Sequence, residues 1–170
     1  CDEVSLTKGA GAVVVQHTKT GEILASASYP TFNLQDYYDN YEKLAKNKRN
    51  PMWNRFALGT YAPGSTFKPM MACAALEEGA INEDSVFRCT GTFHYYDLTL
   101  RCLDQTAHGS ENVRLALKDS CNIFFYNCAD ELGITKINEY GKMFGLGEKT
   151  GVEIPEAAGT FASPAVAEQL

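Results

Sequence analysis

Tyr61-Ala62-Pro63-Gly64-Ser65-Thr66-Phe67-Lys68-Pro69 is the stretch from which the rest of this sequence can be read. Pro63 and Gly64 break the preceding segment, and an apolar run follows through Met70, Met71, Ala72, Ala74, Ala75 and Leu76. Pro69 is compatible with a helix only in its first turn, where the missing N–H has no intrahelical partner anyway. The reading is therefore a turn feeding a helix, with Ser65 at the entrance, where backbone N–H groups point outward. Lys68, three residues on, falls on the same face. A serine at a helix mouth with an amine one turn behind it has the layout of an activated nucleophile. An N-capping serine followed by a solvated lysine explains the bare spacing equally well, and Ser5-Leu6-Thr7-Lys8 repeats it without a proline–glycine turn.

Outward from this stretch, Ser-x-Asn occurs twice. Ser110-Glu111-Asn112 reads as a helix cap. Ser120-Cys121-Asn122 falls between two helical patterns, Val113–Lys118 and Ile123–Leu132, where a hydroxyl and an amide can face a cleft together or serve as a cap.

Asn54-Arg55-Phe56-Ala57, the Tyr61–Pro69 string, Ala74-Ala75-Leu76-Glu77-Glu78-Gly79 and Ala116 to Phe125 together resemble the acylation region of penicillin-binding transpeptidases, the monofunctional class B kind in particular. The resemblance runs from about Gly11 to about Pro164. It implies an α+β fold of the β-lactamase/transpeptidase type, an antiparallel sheet with a helical subdomain. On this reading, residues 1–170 are an internal part of a single transpeptidase domain, and the sheet is incomplete. It also implies catalytic roles for Ser65, Lys68, Ser120 and Asn122, with no cofactor. The family's third motif, Lys-Ser/Thr-Gly on a strand, has two literal copies here that do not fit. Lys19-Thr20-Gly21 reads as a hairpin turn and Lys149-Thr150-Gly151 as a loop, so the motif strand is expected beyond Leu170 and the fragment alone is expected to be inactive.

The implied reaction is D,D-transpeptidation of peptidoglycan stem peptides at the extracytoplasmic face of a bacterial membrane. β-Lactams would be ligands and cell-wall synthesis proteins partners, and the membrane would be reached only through an N-terminal anchor outside this sequence. A serine β-lactamase, a β-lactam-sensing receptor domain and a non-catalytic wall-assembly scaffold share parts of the pattern. The Asn54-Arg55 string and the insertion from Cys89 to Gly109 favour the transpeptidase, and the presence of all four site residues argues against the scaffold.

Composition agrees with a globular domain: 170 residues, 45% hydrophobic, net charge −6. An acidic balance disfavours nucleic acid as a partner. No apolar run approaches the ~18 residues of a membrane span, and no signal peptide opens the sequence.

Ala12–His17 and Glu22–Ser28 read as a β-hairpin, and the continuous apolar run of the first strand suggests burial on both faces. Leu34, Tyr37, Tyr38, Tyr41, Leu44 and Ala45 fall at the spacing of one amphipathic helix. Gly79 reads as a helix C-cap. Val86–Gly91 and Leu98–Cys102 read as two short strands with an aromatic tip between them.

Six cysteines are many for this length. Cys89 and Cys102 could be free thiols or a disulfide, or could join His94 and His108 in a zinc site whose spacings fit no standard finger. Cys121 and Cys128, seven apart, read as core packing on one helix face. His17 reads as structural.

Overall fold

The computed structural model describes residues 9–162, so the Ser5–Lys8 copy of the motif lies outside the described residues. The fold is α+β: small antiparallel sheets accompany helices. The chain divides into two units, one within Cys1–Thr60 and Lys149–Ala157, the other within Tyr61–Glu148 and Ala158–Leu170.

In the first unit, β1 (Gly11–Gln16) pairs antiparallel with β2 (Ile23–Tyr29), with a register shift between Val15 and Gln16. His17 closes the connection. Its carbonyl accepts the Gly21 N–H at 2.9 Å and its Nδ1 accepts the Thr20 N–H at 3.2 Å, so Lys19-Thr20-Gly21 is a turn as read. The expected burial of β1 on both faces is not found. Val13, Val14 and Val15 are 43–49% exposed, because a two-stranded ribbon has no layer over either face among the described residues.

The single helix expected over Leu34–Ala45 is also corrected. A 3-10 turn at Leu34–Asp36 and a short α1 (Tyr41–Ala45) replace it. Asn33 and Asn40 tie their amides to the Asp36 side chain and backbone respectively, local bonds that compete with a continuous ladder. The Tyr stripe packs on itself, Tyr37 contacting Phe32, Tyr38 and Tyr41.

Arg55 is buried. It donates to the carbonyls of Arg49 (2.6 Å) and Asn50 (3.1 Å), and its guanidinium lies over the Trp53 ring, which fixes the charged linker before it. Lys149-Thr150-Gly151 is a loop as read, and the Glu156 carboxylate gathers the N–H groups of Thr150 and Gly151.

The second unit is built on α2 (Lys68–Glu77) packed against α4 (Asn122–Met143). Pro69 sits in the first turn of α2. The run of Met, Ala and Leu favours the helix, and the small Ala74 and Ala75, both at 0% exposure, let the two helices approach closely. Gly79 follows the helix with φ +68°, and the Ile81 N–H returns to the Ala75 carbonyl at 3.1 Å, which satisfies the helix end. Phe124 and Phe125 from α4, with Cys128, Met70 and Met71, fill the core.

The two-strand reading of 86–102 gives way to a nested arrangement. β3 (Phe87–Cys89) pairs with β6 (Gly109–Glu111), and between them β4 (Thr92–Tyr95) and β5 (Leu98–Arg101) form their own hairpin. After β6, the Asn112 side chain caps α3 (Val113–Lys118) by accepting the Leu115 N–H at 3.0 Å.

The helix read over Ile123–Leu132 ends in a kink at Gly133, beyond which a second helical segment runs to Met143; the φ of 72° and ψ of 161° at Gly133 are open essentially only to glycine. A Cβ there meets nothing within 4 Å, so the strain of Gly133→Ala is purely conformational. It is expected to cost about 1–3 kcal/mol in urea unfolding, with an unchanged m-value.

Candidate active site

The 3-10 turn Gly64–Phe67 carries Ser65 directly into α2. Thr66 locks that turn by donating its hydroxyl to the Pro63 carbonyl at 2.6 Å. The Ser65 side chain caps nothing: the turn has no side-chain cap bond, and its hydroxyl stays exposed. Lys68, one turn later, is 9% exposed.

The second pair comes from the junction of α3 and α4. Ser120 is held at φ +52°, a left-handed conformation uncommon for serine, which directs both its carbonyl and its hydroxyl at Lys68. Cys121 is then the N-cap of α4, and Asn122 is the first residue of the helix.

The structure brings all four sequence-derived residues together. Lys68 Nζ lies 2.6 Å from the Ser120 carbonyl, 2.7 Å from Asn122 Oδ1, 3.0 Å from Ser120 Oγ and 3.2 Å from Ser65 Oγ. Ser120 Oγ and Ser65 Oγ are 2.9 Å apart. Two of the four oxygens around the amine, the Ser120 carbonyl and Asn122 Oδ1, can only accept hydrogen bonds. They take two N–H groups, and the third position on nitrogen faces hydroxyls, which can donate as well as accept. In the neutral amine that position is a lone pair aimed at Ser65 and Ser120.

The electrostatics lean the same way. Burial disfavours the ammonium and lowers the Lys68 pKa, against the raising effect of the Cys102 and Cys121 sulfurs. Asn122 is pinned at its other end, since its Nδ2 donates to the Arg101 carbonyl at 3.2 Å. That fixes which end of the amide meets the lysine.

A second constellation adjoins the first. Cys89 at the end of β3, Cys102 after β5, His108 before β6 and Cys121 at the start of α4 bring their donor atoms within 4.8 Å of one another. His108 Nδ1 is 3.5 Å from Cys89 Sγ and 3.4 Å from Cys102 Sγ, while Cys102 and Cys121 sulfurs are 3.9 Å apart. All three cysteines are buried, and none is bridged.

Three sulfurs and an imidazole form a soft donor set of the composition that structural zinc takes. His94, included in the sequence-derived set, is not part of it. It sits on the β4–β5 hairpin with its Nδ1 against Thr99 Oγ1 at 3.1 Å. Cys121 takes that place, having been read as core packing together with Cys128. Cys128 remains a core residue, its thiol pushed up to about 12 by burial. No regular spacing signals the set, because its members come from four separate element ends.

Comparisons with known proteins identify the family. A family profile described as "Penicillin binding protein transpeptidase domain" matches residues 11–169. The peptidoglycan D,D-transpeptidase MrdA of Acinetobacter baumannii is 36% identical over 162 residues, covering 91% of this chain and 24% of the relative. MrdA of Escherichia coli K12 is 32% identical over 161 residues, covering 91% and 25%. The chain thus spans about a quarter of the length of these relatives.

Among solved structures, Pseudomonas aeruginosa PBP2 in complex with WCK 5153 superposes with a TM-score of 0.89 at 28% identity, over 98% of this chain and 40% of that one. Helicobacter pylori PBP2, in its complex with MreC, gives 0.83 at 31% identity, over 92% and 31%.

Proposed function

As the chain belongs to the penicillin-binding protein transpeptidase family, we propose that it is the acylation half of a peptidoglycan D,D-transpeptidase domain, with Ser65 as nucleophile. The observation that carries the reading is the Lys68 amine, buried and held between two obligate acceptors with its remaining position toward Ser65. Ser65 Oγ attacks the carbonyl of the D-Ala–D-Ala bond and passes its proton to Lys68 Nζ, directly or through Ser120. Ser120, in contact with both groups, returns that proton to the departing D-alanine amine.

The acyl group stays on Ser65 as an ester until an amine from a neighbouring stem peptide takes it. Asn122 holds Lys68 in place and orients the peptide. The Ser65 backbone N–H supplies one oxyanion donor, and the Lys-Ser/Thr-Gly strand expected beyond Leu170 supplies the other. A β-lactam acylates the same serine and remains attached.

The named relatives are transpeptidases, which favours cross-linking over β-lactam hydrolysis or sensing. On this reading the protein works at the extracytoplasmic face of a bacterial membrane, with stem peptides as substrate and wall-synthesis proteins as partners; the complex of Helicobacter pylori PBP2 with MreC supports a partner of that kind. No described helix is long and apolar enough to cross a membrane.

The test is D-alanine release and cross-linked dimer formation by the full-length protein on pentapeptide-bearing glycan strands. Hydrolysed monomer without dimer would move the reading to a hydrolase.

The reading includes a closed structural centre in which Cys89, Cys102, His108 and Cys121 hold one zinc ion, which would supply cross-links between strand and helix ends rather than chemistry on substrate. About one zinc per chain is expected in full-length protein purified under reducing conditions. Cys89, Cys102 and Cys121 should react with a thiol reagent only after chelation. Reaction of all three without chelator, and no metal by mass spectrometry, would remove the centre.

A further inference from the structure

The two constellations are joined by a hydrogen bond. Cys102 Sγ, one member of the sulfur–imidazole cluster, accepts the backbone N–H of Asn122 at 3.3 Å. The residue before it, Arg101, accepts the Asn122 side-chain amide through its carbonyl at 3.2 Å. The dipeptide Arg101-Cys102 therefore grips Asn122 at backbone and side chain together, leaving Oδ1 to meet Lys68 Nζ at 2.7 Å.

On the other flank, Cys121 carries a second sulfur of the cluster on the residue between Ser120 and Asn122. The Ser120 turn is left-handed and strained, so it persists only where its surroundings over-determine it. Two sulfurs on either side of Asn122, joined through one centre, provide such surroundings.

We infer that Cys102 is a positioning residue for the acylation site. Its sulfur, fixed in the four-donor centre, sets the place and orientation of Asn122 and, through Asn122 Oδ1, of the Lys68 amine. The inference rests on the zinc reading but separates from it. The centre could hold metal merely to tie β3, β5 and α4 together, with no bearing on Asn122.

His108 supplies the contrast. It is a member of the same cluster, contacting Cys89 and Cys102, and makes no hydrogen bond to Ser120, Asn122 or Lys68. His108→Ala and Cys102→Ala each remove one of four donors, but only the second removes the acceptor of the Asn122 N–H. In the full-length protein both variants are expected to lose zinc to a similar extent. Acylation by a labelled penicillin should fall about 10–100-fold further in Cys102→Ala than in His108→Ala.

The second measurement needs no variant. In full-length wild-type protein labelled with 15N-asparagine, exchanging zinc for cadmium should shift the Asn122 amide resonance and leave that of Asn138 in place. Zinc bound at one equivalent with a stationary Asn122 amide, or equal acylation in the two variants, would overturn the positioning role and leave the centre standing. Absence of bound zinc would overturn both.

Discussion

Ser65→Ala in the full-length protein is expected to abolish covalent labelling by a fluorescent penicillin, with turnover falling by on the order of 10⁶ as when a serine nucleophile is removed from a hydrolase. The size follows from the chemistry. Without the hydroxyl no ester can form, and neither Lys68 nor Ser120 can take its place on the acyl group. Ser120 is nearby, 2.9 Å from Ser65 Oγ, but its hydroxyl is already engaged with Lys68 at the helix junction. Stability should scarcely change, because the Ser65 side chain is exposed and caps no helix. Melting curves of variant and wild type are therefore expected to overlie, which separates loss of chemistry from loss of fold. Residual labelling that maps to Ser120 would exchange the roles of the two serines. Labelling elsewhere would take Ser65 out of the reaction.

What could be read from the residues and what could not divide along physical lines. Ser65 and Lys68 were legible because one helical turn sets their relation, with Pro63, Gly64 and Pro69 marking where it starts. Ser120 and Asn122 were ambiguous locally and singled out by resemblance, since a hydroxyl and an amide before a helix also read as caps. Their approach to Lys68 depends on α2 packing against α4, a contact between residues more than fifty positions apart.

The pairing of β3 with β6 around a separate hairpin was not legible. Three-residue strands carry no measurable period, and their partners lie some twenty residues away. The sulfur–imidazole cluster was legible in part: Cys89, Cys102 and His108 could be named as zinc donors from their residue types, while Cys121 was read as core and His94 included in its place, because each donor sits at the end of a different element and only the fold collects them. The helix expected over Leu34–Ala45 failed in the opposite sense. There the period was present, but edge-to-face Tyr contacts and Asn side-chain bonds satisfied the segment without a continuous ladder.

The second large effect concerns the base, and its sign can be worked out in advance. Lys68→Met keeps the length and apolar stem of the side chain but removes the amine, so acylation by a β-lactam is expected to fall about 10²–10⁴-fold. The Ser120 carbonyl and Asn122 Oδ1 lose their donor, each at a cost of about 1–3 kcal/mol where water cannot enter. Lys68→Arg tests the base alone. A guanidinium still donates to those two acceptors but never offers a lone pair, so labelling should remain low while stability is partly restored.

In the wild type, burial holds the Lys68 pKa below the ordinary lysine range, so the neutral amine grows in as pH rises through that lowered value. Acylation should climb over the same interval. Stability should rise with it, because between the lowered and the ordinary pKa the unfolded chain binds a proton that the native state does not. The acylation slope and the Lys68 share of the stability slope should vanish in Lys68→Met. An arginine variant that labels at the wild-type rate, or a wild-type rate that falls as pH rises through this interval, would show that the lysine acts by its charge. The proton from Ser65 would then have to leave by another route.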